Sequence, residues 1–166
     1  SLEFEINTMT TSSAQVPFTT ISFGLSNGKW GRFIHKAILQ QRYDGLSDGA
    51  TAIFPKQLYF LQEGHNLNKT DPYYDVKQLA MKTSARRTYP DMVSMKQLKE
   101  LRGTDKAITA MGCRSYLQPW FDPETGIETY AGRANGGVSS INLARSCIES
   151  RGNVSYFYEI LEQNLN

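Results

Sequence analysis

The chain has 166 residues, with 18 Lys and Arg against 16 Asp and Glu and a formal net charge of +2. That balance excludes a sequence-independent nucleic-acid binder, which needs a concentrated basic surface to release counterions. A hydrophobic fraction of 40% and a mean hydropathy of −0.44 fit one globular domain or a piece of one, and no apolar run approaches the roughly 18 residues of a membrane-spanning helix.

The opening "SLEFEINTM" has neither a basic nor an apolar signal region, and it starts on Ser1 rather than Met; the expectation is a piece trimmed or cut from a longer protein, with no secretory signal. "VPFTTISFGL" (16–25) is rich in β-branched and aromatic residues and predicts a strand, and "SNGK" (26–29) a turn. Trp30, Phe33, Ile34, Ala37, Ile38 and Gln41 then recur at helical spacing, which predicts a helix burying that face and ending at Gly45. "TAIFPKQLYFLQ" (51–62) is the next strand, and Pro55 within it predicts an edge position or a bulge.

Asp71 and Pro72 read as the N-cap and first residue of a second helix, with Val76, Leu79, Ala80 and Thr83 as its buried stripe and its end before Tyr89-Pro90. A short helix should run from Ser94 as cap to Gly103. "DPETG" (122–126) is a turn, "GRANGG" (132–137) a loop, "VSSINL" (138–143) a strand and "ARSCIESRGN" a short helix. Asn153 should cap a final helix that buries Phe157, Ile160, Leu161 and Leu165. Strands alternating with helices predict an α/β fold with crossover connections.

The chemistry centres on "AITAMGCRSYLQPW" (107–120), which holds Cys113, one of only two cysteines. Two cysteines make no disulfide framework, and with His35 and His65 they form no zinc-binding spacing. A reducing, cytoplasmic protein without a Cys113–Cys147 disulfide is expected. Free cysteine is commonly a buried filler, which suits Cys147 beside Ile148. A nucleophilic Cys113 would need a cation or base to lower its pKa. Arg114 is adjacent, but neighbouring side chains of an extended segment point to opposite faces. A thiyl radical needs no base; it needs a dry, confined site. Gly112 before the thiol and Ser115 after it suit a loop tip in a tight space.

"AMGCRSYL" resembles the finger loop of the class III, oxygen-sensitive ribonucleoside-triphosphate reductases. "FEINTM", "PFTTISFG", "AILQQRYDGL", "TAIFPK", "DPYYDVKQLAM", "RTYPD" and "GRANGGVSSINLAR" resemble further segments of that family in the same order, so the likeness covers the whole chain. The resemblance implies that residues 1–166 are a single piece of a ten-stranded α/β barrel with a central finger loop. It implies that a stored glycyl radical oxidises Cys113, whose thiyl takes the 3′-hydrogen of a bound ribonucleotide. Asn135 matches the asparagine that faces the ribose; Met111, Gly112 and Ser115 match the surroundings of the radical cysteine.

No cofactor is expected within this chain. In the complete enzyme the resemblance implies a glycyl radical made by an S-adenosylmethionine and iron–sulfur activating enzyme, formate or a thiol as reductant, and a cysteine-ligated zinc in a C-terminal region. It implies a ribonucleoside triphosphate substrate, the remainder of the reductase chain and the activating enzyme as partners, a homodimer, and no membrane or nucleic-acid partner. Nothing here matches the family's glycyl-radical loop, zinc cysteines, nucleotide-sensing module, dimerising helices or early-strand cysteine. Ala144 stands where the family usually has proline, and Ser139 and Ser140 where it has larger residues. This chain alone is expected to be catalytically silent. The competing expectation is a non-catalytic binding or assembly module that uses exposed strand edges; a thiol hydrolase or transferase is a third.

Overall fold

In the computed structural model of the chain, the residues described are 2–9, 16–103, 105–111, 115–116, 119–132 and 140–165. They fall into two compact units, Ser1–Ala131 and Gly132–Asn166.

The first unit is built on a parallel sheet of β1 (Thr20–Phe23), β2 (Lys56–Leu61) and β3 (Asp91–Ser94), in that order. Thr20 pairs with Lys56 and Phe23 with Tyr59; Leu58 pairs with Asp91 and Leu61 with Ser94. Parallel neighbours need crossovers, supplied by α2 (Lys29–Asp44) and α3 (Tyr74–Arg87). The expected α/β architecture with crossover connections is therefore present as a three-stranded parallel sheet.

Successive residues of a strand face opposite sides, so Tyr59 and Phe60 of the central strand serve two cores. Tyr59 joins Phe23, Leu39, Val76 and Ala80 under the two helices. Phe60 joins Met95, Leu98 and Ile108 on the other side, with Tyr116 and Tyr130 packed against them. Met95 and Leu98 come from α4 (Met95–Arg102), which starts as expected: the Ser94 hydroxyl accepts from the Gln97 amide.

Several expectations need correction. The helix at 29–44 ends at Gly45, whose φ of 88° favours glycine, but its buried face is His35, Leu39 and Arg42. Trp30 and Phe33 are 72% and 64% exposed. Polar residues take the inner face because the backbone beneath offers partners: Arg42 donates to the carbonyls of Ala52 and Pro55 and to Glu3 Oε1. Pro55 lies neither in an edge strand nor in a bulge. It immediately precedes β2, a central strand, so its missing N–H costs the ladder nothing.

Asp71 does not cap α3. Its carboxylate accepts from the Asn68 amide in the preceding turn, and Tyr73 stands at the N-cap position. The stripe of Val76, Ala80 and Thr83 is buried, and the helix stops at Arg87 with Thr88 in the left-handed region. β3, a four-residue strand running directly into the cap of α4, had no sequence expectation of its own. Ahead of the sheet, α1 (Leu2–Thr8) is tied down by Asn7, whose side-chain oxygen accepts from the Ile53 and Phe54 amides.

Two small antiparallel ladders complete this unit. β4 (Ala110–Met111) pairs with β5 (Ser115–Tyr116), and β6 (Trp120–Phe121) with β7 (Glu128–Thr129) around the expected turn at 122–126. Asp122 accepts from the Glu124 amide and the Thr125 hydroxyl within that turn.

The second unit contains α5 (Leu143–Glu149) and α6 (Val154–Leu165). Residues 140–142 are not a strand, contrary to expectation; Asn142 instead caps α5 by accepting from the Arg145 amide. Asn153 caps α6 through the Tyr156 amide, as expected. Ile160 is buried, Phe157 and Leu161 are half-buried, and Leu165 is exposed. Cys147 is an exposed free thiol rather than a buried filler; on this turn of α5 the inward position belongs to Ser146, whose hydroxyl bonds back to the Asn142 carbonyl.

Candidate active-site region at the carboxyl edge of the sheet

Ligands of parallel α/β sheets gather beyond the carboxyl ends of the strands. Three loops meet there in the first unit. The loop after β1 carries Gly24, Leu25 and Ser26, that after β2 carries His65, Asn66 and Tyr73, and residues 105–109 lead into β4.

The first two loops are locked together. Asn66 is fully buried; its amide nitrogen donates to the carbonyls of Gly24 and Phe60 and lies 3.2 Å from the Tyr59 hydroxyl, and its oxygen accepts from the Gln62 amide. The His65 ring bonds the Gly24 carbonyl through Nε2 at 3.0 Å and stacks on Tyr73 at 4.5 Å between centroids. The Tyr73 hydroxyl accepts from the Gly28 amide at 2.6 Å. Gly24 is required here: its φ is +122°, and a Cβ would meet the Phe60 carbonyl oxygen at 2.7 Å. From the helices, Asp75 receives Lys36 and Arg32. Burial alone would raise its carboxyl, but hydrogen bonds and charge from those two cations hold it below its ordinary value.

Two clefts open at this edge. One, of ≈ 330 Å³, lies beyond β1 against His35, Phe60 and Ala107. The other, of ≈ 460 Å³, lies beyond β2 and β3 against Gln62, Lys96 and Asp105, where Lys99 pairs with Asp105 at 2.7 Å. His35 is 7% exposed; burial, with a smaller contribution from the charge of His65, holds its ring below its ordinary pKa.

The 107–116 segment stands on the second core. Ile108 and Ala110 are buried, and Ile108 and Tyr116 pack on the cluster around Phe60. In the β4–β5 ladder Met111 lies opposite Ser115. Two candidate residues, Met111 and Ser115, are thus neighbours across a ladder anchored to the sheet. Gly112, Cys113 and Asn135 lie outside the described residues. Among the described residues, no group of three His, Cys, Asp or Glu side chains is placed to hold a metal ion, and no helix is long and apolar enough to cross a membrane. The sequence considered His35 and His65 only as absent zinc ligands and passed over Asn66. The usable signal was His35 at four- and seven-residue spacing from Leu39 and Arg42.

Comparison with known proteins supplies the family. The model of the anaerobic ribonucleoside-triphosphate reductase family matches residues 1–166. The chain is 43% identical to the anaerobic ribonucleoside-triphosphate reductase of Enterobacteria phage T4, over 99% of this chain and 28% of the phage protein. It is 41% identical to the protein of the same name from Escherichia coli K12 and 43% identical to that of Haemophilus influenzae, in each case over 99% of this chain and 23% of the relative. The chain therefore spans about a quarter of the length of these curated relatives. On that full-length match, it belongs to the anaerobic ribonucleoside-triphosphate reductase family.

Proposed function

We propose that this chain is the part of an anaerobic ribonucleotide reductase that carries the radical cysteine, with Cys113 as the group that touches the substrate ribose. The observation that carries the proposal is the pairing of Met111 with Ser115 on a ladder anchored over Phe60. It holds the two ends of the 112–114 segment together beside the carboxyl edge of the sheet. In the complete protein the sheet is part of a ten-stranded barrel and residues 112–114 form the tip of its finger loop.

The reaction at Cys113 is a hydrogen-atom transfer. The thiyl sulfur takes the 3′-hydrogen, forming S–H and leaving the unpaired electron on C3′. The 2′-hydroxyl takes up one proton and leaves as water, and C2′ is refilled with hydrogen by a second proton and two electrons, which come from oxidation of formate to carbon dioxide or of two thiols to a disulfide. Return of the hydrogen from Cys113 to C3′ restores the thiyl. Asn135 donates and accepts toward the ribose hydroxyls, and Met111, Gly112 and Ser115 shape the confined space that excludes side reactions.

The stored glycyl radical supplies the oxidising equivalent. It belongs, with the zinc site, to protein beyond these 166 residues. The activating enzyme is a separate partner, the complete enzyme is a cytoplasmic homodimer, and the chain alone reduces nothing.

The test is turnover of a ribonucleoside triphosphate by the complete protein, activated without oxygen. Cys113→Ala abolishes deoxynucleotide formation, whereas Cys147→Ala, which removes an exposed thiol, leaves it in place. Reduction that survives Cys113→Ala would overturn the assignment in favour of a non-catalytic assembly role for this segment.

A further inference from the structure

The apolar stripe that the sequence marks for burial on α2 is open. Trp30, Phe33 and Ile34 are 72%, 64% and 52% exposed, and the Trp30 and Phe33 rings meet edge to face at 6.5 Å between centroids. Ala37 and Gln41 continue the stripe, also exposed, with Ile38 half-buried. Contiguous apolar surface marks a contact site, whereas single exposed apolar residues do not.

The stripe runs into a cleft of ≈ 270 Å³ whose walls are apolar at Leu2, Ile21, Ile38 and Pro55, and which Glu3 and Gln57 also line. Glu3 is 5% exposed and Gln57 0%. Glu3 Oε2 and Gln57 Oε1 are buried there without a hydrogen bond. Folded proteins pair nearly all such atoms. The donors at hand are already committed: Arg42 to Glu3 Oε1 and the Ala52 and Pro55 carbonyls, and the Gln57 amide nitrogen to the same Glu3 oxygen.

We infer that this face receives an amphipathic helix from the part of the same reductase polypeptide beyond these 166 residues, and that an uncharged N–H or O–H side chain of that helix donates to Glu3 Oε2 and Gln57 Oε1. The inference rests on the family reading, since the chain spans about a quarter of its relatives and most of the polypeptide is available to cover it. The cleft also opens beside β1, which pairs with β2 alone among the described residues, so the sheet is unfinished on that side.

The shape fits a helix. From Trp30 to Gln41 the stripe covers about three turns, roughly 16 Å, and side chains three and four apart form the ridges that a neighbouring helix packs against. Helices side by side are the ordinary cover of a parallel sheet. The chemistry fits an uncharged donor. Both orphans are acceptors, so the occupant must bring the hydrogen. Arg42 already balances Glu3, and a second cation would leave net charge between apolar walls.

The test uses the complete protein, assembled from a mixture of isotopically light and heavy chains. One variant carries the photo-crosslinking p-benzoylphenylalanine in place of Phe33; a second is Ala37→Cys, with labelling read by mass spectrometry at that peptide. Irradiation should join position 33 to a peptide of the same chain outside these 166 residues. That peptide should have apolar residues three and four apart and an uncharged donor among them. Ala37→Cys should react with a maleimide about tenfold more slowly in the native protein than in urea, or slower still.

Cross-links that pair light with heavy chains would overturn the inference, because a second copy would then cover the face. So would a captured peptide whose apolar residues alternate, or whose only donors are Lys or Arg. Native labelling as fast as in urea, or no cross-link within the chain, would show the face uncovered. If Ala37→Cys labels freely while reduction still depends on Cys113, this inference falls and the reductase reading stands. If the cross-link forms within the chain while Cys113→Ala still reduces substrate, the reverse holds.

Discussion

Arg42 is the residue whose loss should damage the first unit most sharply. It is 0% exposed and its guanidinium has three protein partners: Glu3 Oε1 at 2.8 Å, the Pro55 carbonyl at 2.5 Å and the Ala52 carbonyl. Gln57, also fully buried, donates to the same Glu3 oxygen at 3.0 Å. Arg42→Met keeps the apolar stem and deletes the charge. It leaves a buried carboxylate without its cation and two carbonyls without donors. Breaking a buried pair in this way costs about 3–5 kcal/mol. The double substitution Arg42→Met, Glu3→Leu should be less destabilised than the sum of its parts, with a coupling of about 1–3 kcal/mol.

The pH dependence has a definite sign. Burial raises the Glu3 carboxyl above its ordinary value, against the opposing pull of Arg42. An acid with a raised folded pKa costs nothing when both states are protonated. The cost grows as pH climbs from the unfolded value of 4.5 through the folded one. Without Arg42 that window widens, so Arg42→Met should recover stability relative to wild type as pH is lowered from 7 toward 4.5. Urea denaturation of the 166-residue chain, followed by circular dichroism and by amide exchange in α1 and β2, reads both effects. A loss below about 1 kcal/mol at pH 7, or no convergence at lower pH, would refute the view that this pair clamps α1 to the sheet.

Asn66→Ala should cost about 2–4 kcal/mol by orphaning buried groups on both crossover loops, and should speed amide exchange at Gly28 and Phe60; unchanged exchange there would mean the loops are not coupled. Arg87 donates to the carbonyls of Tyr43 and Asp44 at the end of α2 and of Gly49 in the loop beyond it, and reaches the Thr51 hydroxyl. Arg87→Lys cannot span that fork and should lose about 1–3 kcal/mol, which a denaturation midpoint would detect. Burial, with a smaller push from Asp75, raises the Tyr59 hydroxyl from 10.0 to about 12. Its contribution to stability should fall as pH rises from 10 through 12, and ultraviolet titration should show one tyrosine ionising later in wild type than in Asn66→Ala unfolded by urea.

Local signals in the sequence found those elements whose ends are encoded locally. Ser94 and Asn153 were legible as caps because each accepts from the amide three residues on, and Gly45 because α2 must stop there. The inward face of α2 was not legible. Apolar spacing pointed to Trp30 and Phe33, but the buried positions went to His35 and Arg42, whose partners lie far along the chain. Those apolar side chains are exposed in a chain that spans about a quarter of its relatives, so burial within these 166 residues need not follow their spacing.

Asp71 misled for a related reason: its carboxylate was already engaged by the turn at Asn68. β3 is too short for alternation to register, and its pairing with β2 is non-local. At the candidate site, the 107–116 segment stood out through its cysteine and glycine. The buried Ser22 hydroxyl, which has no hydrogen-bond partner, did not, since a missing partner can be seen only once the fold is known.

The central claim is that Cys113 takes the 3′-hydrogen of the substrate ribose. A single-turnover experiment on the complete protein, activated without oxygen, tests it most directly by recording the stored radical by electron paramagnetic resonance and the deoxynucleotide product in one sample. Cys113→Ala should form the stored radical to the wild-type yield, keep it when the ribonucleoside triphosphate is added, and give no deoxynucleotide. Deoxynucleotide formation by that variant would contradict the account.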